Sequence, residues 1–278
     1  MAGMLYLVPT PIGNLSDISD RCRQTLAEAD FIAAEDTRVT LKLLNHLEIK
    51  KPLVSYYEHN KEASGPRILA RILAGETCAL VSDAGSPAIS DPGEDLVRLC
   101  AEHGVTVCAI PGPCAAITAL SISGLPTGRF TFEGFLSTTK KTRRAHLDSL
   151  RGETRTMIFY EAPHKLCGTL ADLAAAFGAE RRISLCRELT KLHEEVLRMT
   201  IGQAIDYYAQ QPPRGEYVLV VEGAAPQRDK TCTLEDALQM VRTLMSQGHS
   251  RKDAVKHVST QTPYPKNTLY EATLQSDS

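Results

Sequence analysis

Four short segments of this chain concentrate the residue types that do chemistry: PTPIGN (9–14), EDTR (35–38), SDAGSPAISDPG (82–93) and PGPC (111–114). Each directly follows an apolar, strand-like run. Neither GxGxxG nor GxxxxGK[ST] occurs, which argues against a dinucleotide-binding Rossmann site and against a P-loop NTPase. The segments are stiffened by proline instead, which suits a pre-formed wall that holds a small ligand through backbone groups. Asp83 ends an apolar strand and has two roles open to it. It holds a ligand ammonium or ribose hydroxyl by a charge-assisted hydrogen bond, or it serves as a loop or N-cap carboxylate. Glu35 and Asp36 are adjacent, so on an extended segment they face opposite ways and form no obvious acid/base pair. Arg38 stands two residues on and is placed to pair with Asp36.

Further along, YEAPHK (160–165), RELTK (187–191) and RGEYVLVVEG (214–223) each put polar residues at the end of an apolar run. His164 and His193 are lone histidines of the kind that sit on surfaces. No Ser/His/Asp order and no His/Cys/Asp metal spacing stands out, so no metal site is expected. The eight cysteines contain no CxxC pair and mostly lie in apolar runs, the pattern of buried thiols in a reducing compartment. Lys+Arg 31 against Asp+Glu 33 gives a net charge of -2, so nucleic acid would need a local patch. The clearest is Lys140, Lys141, Arg143 and Arg144. Arg181, Arg182, Arg187 and Lys191 form a second, and Arg251, Lys252, Lys256 and Lys266 a third. With no Trp and aromatics at 5%, phosphate contact is a better use of these patches than an extended base-stacking platform.

The elements that must position these segments alternate. Strand-like runs at 5–8, 31–34, 53–57, 78–81 and 105–110 are separated by helical patterns, which implies a parallel sheet covered on both faces. In such a sheet all four segments emerge at the carboxyl edge, where open α/β folds bind ligands. Pro66 is expected to open one helix, and Asp91-Pro92-Gly93-Glu94 to read as N-cap, N1 proline and N3 carboxylate of the next. A second set follows, with strands at 130–135, 155–160, 182–187, 195–200 and 217–222 and helices near 140–150, 164–177 and 202–210. The close spacing of 182–187 and 195–200 predicts an antiparallel pair. The expected organisation is therefore an α/β domain over 1–112, a linker over 113–128, a mixed-sheet α/β domain over 129–225, a break at 224–230, and a three-helix tail over 231–278. Ser250 with Asp253 suggests a capping box in the tail. The 278 residues suit about two domains at roughly 150 residues each, with 43% hydrophobic residues to fill their cores. Mean hydropathy is -0.17, no run reaches the roughly 20 apolar residues of a membrane helix, and the N-terminus lacks a basic n-region. A soluble, cytoplasmic protein with no membrane partner is the expectation.

Taken together and in order, LYLVPTPIGNLSDIS, ADFIAAEDTR, YYEHN, ALVSDAGSPAISDPG, IPGPCAAITALSISGLPT, FEGFL, YEAPHK, RELTK and RGEYVLVVEG resemble the tetrapyrrole-methylase superfamily of S-adenosylmethionine-dependent methyltransferases. Within it they more closely resemble the bacterial family that modifies small-subunit ribosomal RNA. The resemblance covers residues 4 to 223, and the tail resembles that family's small helical unit. It implies the two-domain class III methyltransferase fold, a methyl donor in the cleft between two α/β halves, and a homodimer. It also implies 2′-O-methylation of a cytidine ribose in the decoding centre of 16S rRNA on the assembled small subunit. Carried over, the donor pocket takes in Pro11, Asp83, Ser86, Pro87, Pro111, Gly112, Pro113, Cys114 and Ala115. Tyr160, Arg187, Glu188, Gly215 and Glu216 close over it from the second half. The first loop of the family's tetrapyrrole enzymes is often glycine-rich, whereas here it is PTPIGN. Glu35 or Asp36 is then the candidate proton acceptor, Arg38 and Lys191 hold phosphate, and Asn14, His59 and Asn60 orient the acceptor. A tetrapyrrole methylase is the alternative enzyme, and a helix-turn-helix regulator built on the tail is the alternative of another class.

Overall fold

The computed structural model describes residues 3–225 and 232–275. The chain forms two compact units, 1–224 and 225–278, and both sheets lie in the first. Among the described residues no helix is long and apolar enough to cross a membrane.

The first sheet contains β1 (Met4–Leu7), β2 (Phe31–Ala34), β3 (Leu53–Ser55), β4 (Cys78–Val81) and β5 (Thr106–Ala109), in the order β3-β2-β4-β1-β5. Every neighbouring pair is parallel. The central strands read FIAA and CALV and are buried at every position, because helices cover both faces. Side-chain alternation divides them cleanly. Phe31, Ala33, Cys78 and Leu80 join the core under α3 (Lys61–Leu73) and α4 (Glu94–Glu102). Ile32, Ala34, Ala79 and Val81 join the opposite core under α1 (Asp20–Glu28) and α2 (Thr37–His46).

Two helix starts differ from the sequence expectation. Helix α3 begins at Lys61, and Pro66 lies inside it. Asn60 sets the start: its Oδ1 accepts the Tyr57 N–H at 2.8 Å, and its Nδ2 donates to the Ser55 carbonyl at 3.1 Å. Helix α4 is capped by Gly93 at φ 148, not by Asp91. A Cβ at position 93 would lie 3.0 Å from both Ala88 Cβ and Leu80 Cδ2, so glycine permits this tight entry. EDTR is likewise not all loop, since Asp36 caps α2 and Thr37 and Arg38 form its first turn.

Helix α5 (Ala115–Ile122) leads to the second sheet, ordered β6-β7-β10-β8-β9. Its strands are β6 (Phe130–Phe135), β7 (Thr156–Glu161), β8 (Arg182–Arg187), β9 (Glu195–Thr200) and β10 (Tyr217–Val221). Only β6 and β7 are parallel, and β8 and β9 form the expected antiparallel pair. One face packs beneath α6 (Lys140–Ser149), α7 (Pro163–Phe177) and α8 (Ile201–Gln210). The other receives Ala116, Ala119 and Leu120 of α5, together with Ile12 and Cys114 from the first half's loops. The two halves of this unit thus meet through their loops, not through a linker alone.

The second unit holds α9 (Leu234–Ser246), α10 (Arg251–Gln261) and α11 (Lys266–Gln275) around Ala237, Val241, Ala254, Val255, Val258 and Leu269. Thr233 and Asp236 form a capping box, and Ser250 Oγ accepts the Asp253 N–H at 3.2 Å. The break expected at 224–230 falls mostly outside the described residues.

Candidate active site

The four segments converge, as parallel strands require, and they are stitched to one another. Thr10 and Gly85 exchange backbone hydrogen bonds of 2.9 Å each, and Thr10 Oγ1 donates to the Ser82 carbonyl at 3.1 Å. The Asp36 N–H donates to Asp83 Oδ1 at 3.1 Å. Ser86 Oγ donates to the Pro113 carbonyl at 3.1 Å. Gly112 lies so close to Pro9 that a Cβ would stand 2.3 Å from its Cγ. Proline rings and main-chain bonds therefore form a rigid rim at the carboxyl edge of the first sheet.

Between this rim and the second sheet lies a cleft of about 610 Å³, within the range of small-ligand sites. Glu35, Asp83, Ser86 and Asp91 face it from the first half, and Cys114 and Ala115 from the start of α5. Tyr160, Phe135, Lys191 and Glu216 face it from the second. Tyr160 also ties the walls together, because its hydroxyl accepts the Ala116 N–H at 3.2 Å.

The electrostatics separate the two adjacent carboxylates. Asp36 accepts from Arg38 through both oxygens, at 3.0 Å from Nε and 2.6 Å from Nη2. Those bonds hold its pKa down at about 2. Glu35 turns into the cleft, where burial raises its pKa and the charges of Asp91 and Asp83 add to the effect. Burial likewise raises Asp83 and Asp91, the first opposed by the Asp36 amide and the second by Ser82. One wall of the cleft thus carries three carboxylates whose ionisation burial disfavours, with the Asp83 charge adding to the effect at both Glu35 and Asp91.

On the opposite wall, Lys191 Nζ donates to Glu188 Oε1 at 2.9 Å and to Glu216 Oε2 at 2.8 Å. Burial pulls the Lys191 pKa down, but these two carboxylates outweigh it and leave it raised. The loop that carries the lysine is tight: Glu188 and Thr190 have φ 51 and 66, and a Cβ on Gly13 would lie 2.5 Å from Lys191 Cγ.

Of the residues singled out from sequence, Glu35, Asp83, Ser86, Cys114, Ala115, Tyr160, Lys191 and Glu216 line the cleft. Pro11, Pro87, Pro111, Gly112, Pro113, Arg187, Glu188 and Gly215 belong to the segments that frame it. Arg187 is paired with Glu195 at 3.1 Å. Arg38 and Lys191, expected as phosphate holders, are both committed to carboxylates. Asn14 caps a turn by accepting the Ser16 N–H at 3.0 Å, and Asn60 sets the start of α3. His59 is exposed with its ring edge-on to Tyr57. In the basic patch, Arg143 pairs with Asp172, while Lys140, Lys141 and Arg144 are exposed on α6.

Sequence reasoning missed Asp91, which it assigned to a helix cap, and Phe135, which it took only as part of a strand. The first was hidden because a capping pattern matched by chance. The second left a trace in the sequence, the glycine at 134. Among the described residues no cluster of His, Cys, Asp or Glu suited to a metal ion occurs.

Residues 4–205 match the family of tetrapyrrole (corrin/porphyrin) methylases. The chain is 47% identical to ribosomal RNA small subunit methyltransferase I of Synechocystis sp., over 98% of each chain. It is 48% identical to the protein of the same name from Halalkalibacterium halodurans, over 96% of this chain and 93% of that one. Among solved structures it is similar to uroporphyrin-III C-methyltransferase from Thermus thermophilus, crystallised with S-adenosyl homocysteine. The TM-score is 0.55 at 18% identity, covering 79% of this chain and 97% of that one.

Proposed function

The chain belongs to the tetrapyrrole methylase family and, within it, to the small-subunit ribosomal RNA methyltransferases I, and from that premise we propose its reaction. It transfers a methyl group from S-adenosylmethionine to the 2′-hydroxyl of a cytidine ribose in the decoding centre of 16S rRNA. It works in the cytoplasm, as a homodimer, on the small ribosomal subunit.

The observation that carries this reading is the three-carboxylate wall of the cleft. Burial raises the pKa values of Glu35, Asp83 and Asp91, the charges of Asp91 and Asp83 add to it at Glu35 and that of Asp83 at Asp91, and a donor bearing a sulfonium and an ammonium offsets both the lost hydration and the repulsion. The 610 Å³ volume and the mixed lining of Ser86, Cys114, Ala115 and Tyr160 suit such a molecule. When bound, the donor supplies an electrophilic methyl whose leaving group is a neutral thioether. Asp83 and Ser86 would hold it from the rim, and Glu216 from the opposite wall. The ribose oxygen forms its bond to carbon as the sulfur–carbon bond breaks, and the hydroxyl proton passes to Glu35, whose raised pKa suits it as a base. Positioning by the rigid rim supplies most of the acceleration.

Lys140, Lys141 and Arg144 support an RNA acceptor. They crowd the start of α6, which has no acidic residue in its first turn. Cations are disfavoured at a helix N-terminus, so helix stability does not explain them, whereas phosphate binding does. A tetrapyrrole acceptor is less well served. Its carboxylates need cations in the cleft, and Lys191 there is clamped between two carboxylates.

The decisive experiment is transfer of a labelled methyl from S-adenosylmethionine to unmodified small subunits, with free rRNA and uroporphyrinogen as parallel acceptors. 2′-O-methylcytidine released from subunits alone is the expected product. Label on the tetrapyrrole and on neither RNA overturns the assignment. Sedimentation at micromolar concentration tests the homodimer.

A further inference from the structure

We propose that Phe135 is the surface on which the acceptor nucleotide's base stacks when the ribose enters the cleft. The inference rests on the RNA reading above. Phe132 and Phe135 are three residues apart on β6, and strict alternation would put them on opposite faces of the sheet. They share a face because the pairing with β7 shifts register between Phe132 and Gly134. Gly134 adopts φ 61 at this bulge and approaches the rim, where a Cβ would lie 3.3 Å from Ser90 Oγ. Bulges of this kind beside active sites re-aim a side chain.

The result is an ordered aromatic group at the cleft. The Phe132 ring stands 5.1 Å from that of Tyr160, and Phe135 stands 5.4 Å from it at 63°. Tyr160 is itself anchored to the Ala116 amide. Phe132 is half-buried and packs into the core, but Phe135 remains 59% exposed while lining the cleft. A large apolar ring held in place and left wet is complementary to a flat partner. A single ring suffices here, where an extended platform was not expected from composition. An unstacked nucleotide loses its neighbours in the strand, and an aromatic side chain replaces them. Five residues further on, α6 begins with exposed Lys140 and Lys141. The chain between spans at most about 18 Å, so one continuous segment meets both base and phosphate.

The test is steady-state methylation of unmodified small subunits by the full chain and its Phe135→Ala, Phe135→Leu and Phe135→Tyr variants, with donor affinity measured by calorimetry. Alanine and leucine are expected to raise KM for the subunit by about 5- to 150-fold. Tyrosine should stay near wild type, and the donor Kd should be unchanged in all three. Wild-type behaviour of Phe135→Leu would reduce the ring to an apolar cover and overturn the proposal. Weakened donor binding would place the ring against the donor and overturn it as well. Failure of the unaltered protein to methylate subunits would sink the RNA reading itself, and this proposal with it.

Discussion

The backbone amide of Asp36 donates to Oδ1 of Asp83, so the loops after β2 and β4 are joined at the point where their carboxylates enter the cleft. Asp83 therefore does two things at once: it holds a loop and it presents charge.

Two substitutions separate those roles. Asp83→Asn keeps an oxygen for the Asp36 amide and removes the charge, whereas Asp83→Ala removes both. Each should weaken S-adenosylmethionine binding by about 10- to 100-fold, the range of one hydrogen bond to a charged group, and only the alanine variant should also lower thermal stability, because it leaves the Asp36 amide without its acceptor. Calorimetry checks it, and an unchanged dissociation constant in both variants takes Asp83 out of the pocket.

Glu35→Gln should lower kcat by about 10²- to 10⁴-fold, beyond any loss of donor affinity from removing one of the three cleft carboxylates, because the carboxylate takes the proton. The pH profile supplies the control. Because the Glu35 pKa is raised, the wild-type rate should fall toward acid as the base becomes protonated, beginning above the ordinary carboxylate range. That limb should be missing from the glutamine variant.

Changing both Lys140 and Lys141 to Glu should reduce methylation of subunits and spare donor binding. The dependence of subunit binding on salt should become shallower by about one logarithmic slope unit for each phosphate that is no longer neutralised. Unchanged turnover and slope would make α6 a solvated face.

Asp91→Asn should stabilise the fold at neutral pH. The folded-state pKa of Asp91 is raised by burial, so the ionised group opposes folding. That penalty is absent below the unfolded pKa and complete once pH exceeds the folded one. Thermal melts should show the variant above wild type near pH 7, with the gain fading toward pH 3. A constant difference across that range would point to packing instead of charge.

Gly112→Ala should be costly despite its small size. The added Cβ meets Pro9 at 2.3 Å, and neither proline-stiffened loop yields easily. Overpacking of this kind costs about 1–3 kcal/mol, which differential scanning calorimetry resolves.

Much of this architecture is legible in one dimension. Runs such as FIAA and CALV are apolar throughout because parallel central strands are buried on both faces. Their ends, marked by proline and glycine, must then share one edge. That is why the segments carrying Glu35, Asp83, Ser86 and Cys114 could be read from sequence as sharing one edge, while the choice of those residues within them came from the family resemblance. The alternation rule also separated Glu35 from Asp36, whereas Arg38, expected to hold phosphate, pairs with Asp36 at the start of α2.

Other features depend on partners that sequence spacing does not reveal. Lys191 looks like a free cation in RELTK, yet one of its two carboxylates lies 25 positions away, on the loop that leads into β10. Asp91 matches a capping pattern, but Gly93 starts the helix and leaves the carboxylate to the cleft. The direction of Phe135 is decided by a register shift against β7, a property of the strand pair and not of either strand. Local composition and periodicity thus determined which elements form, their order and the edge that bears the site. Only the packed chain decided which charges are neutralised and which ring faces the ligand, because those outcomes are set by contacts between segments that are distant in sequence.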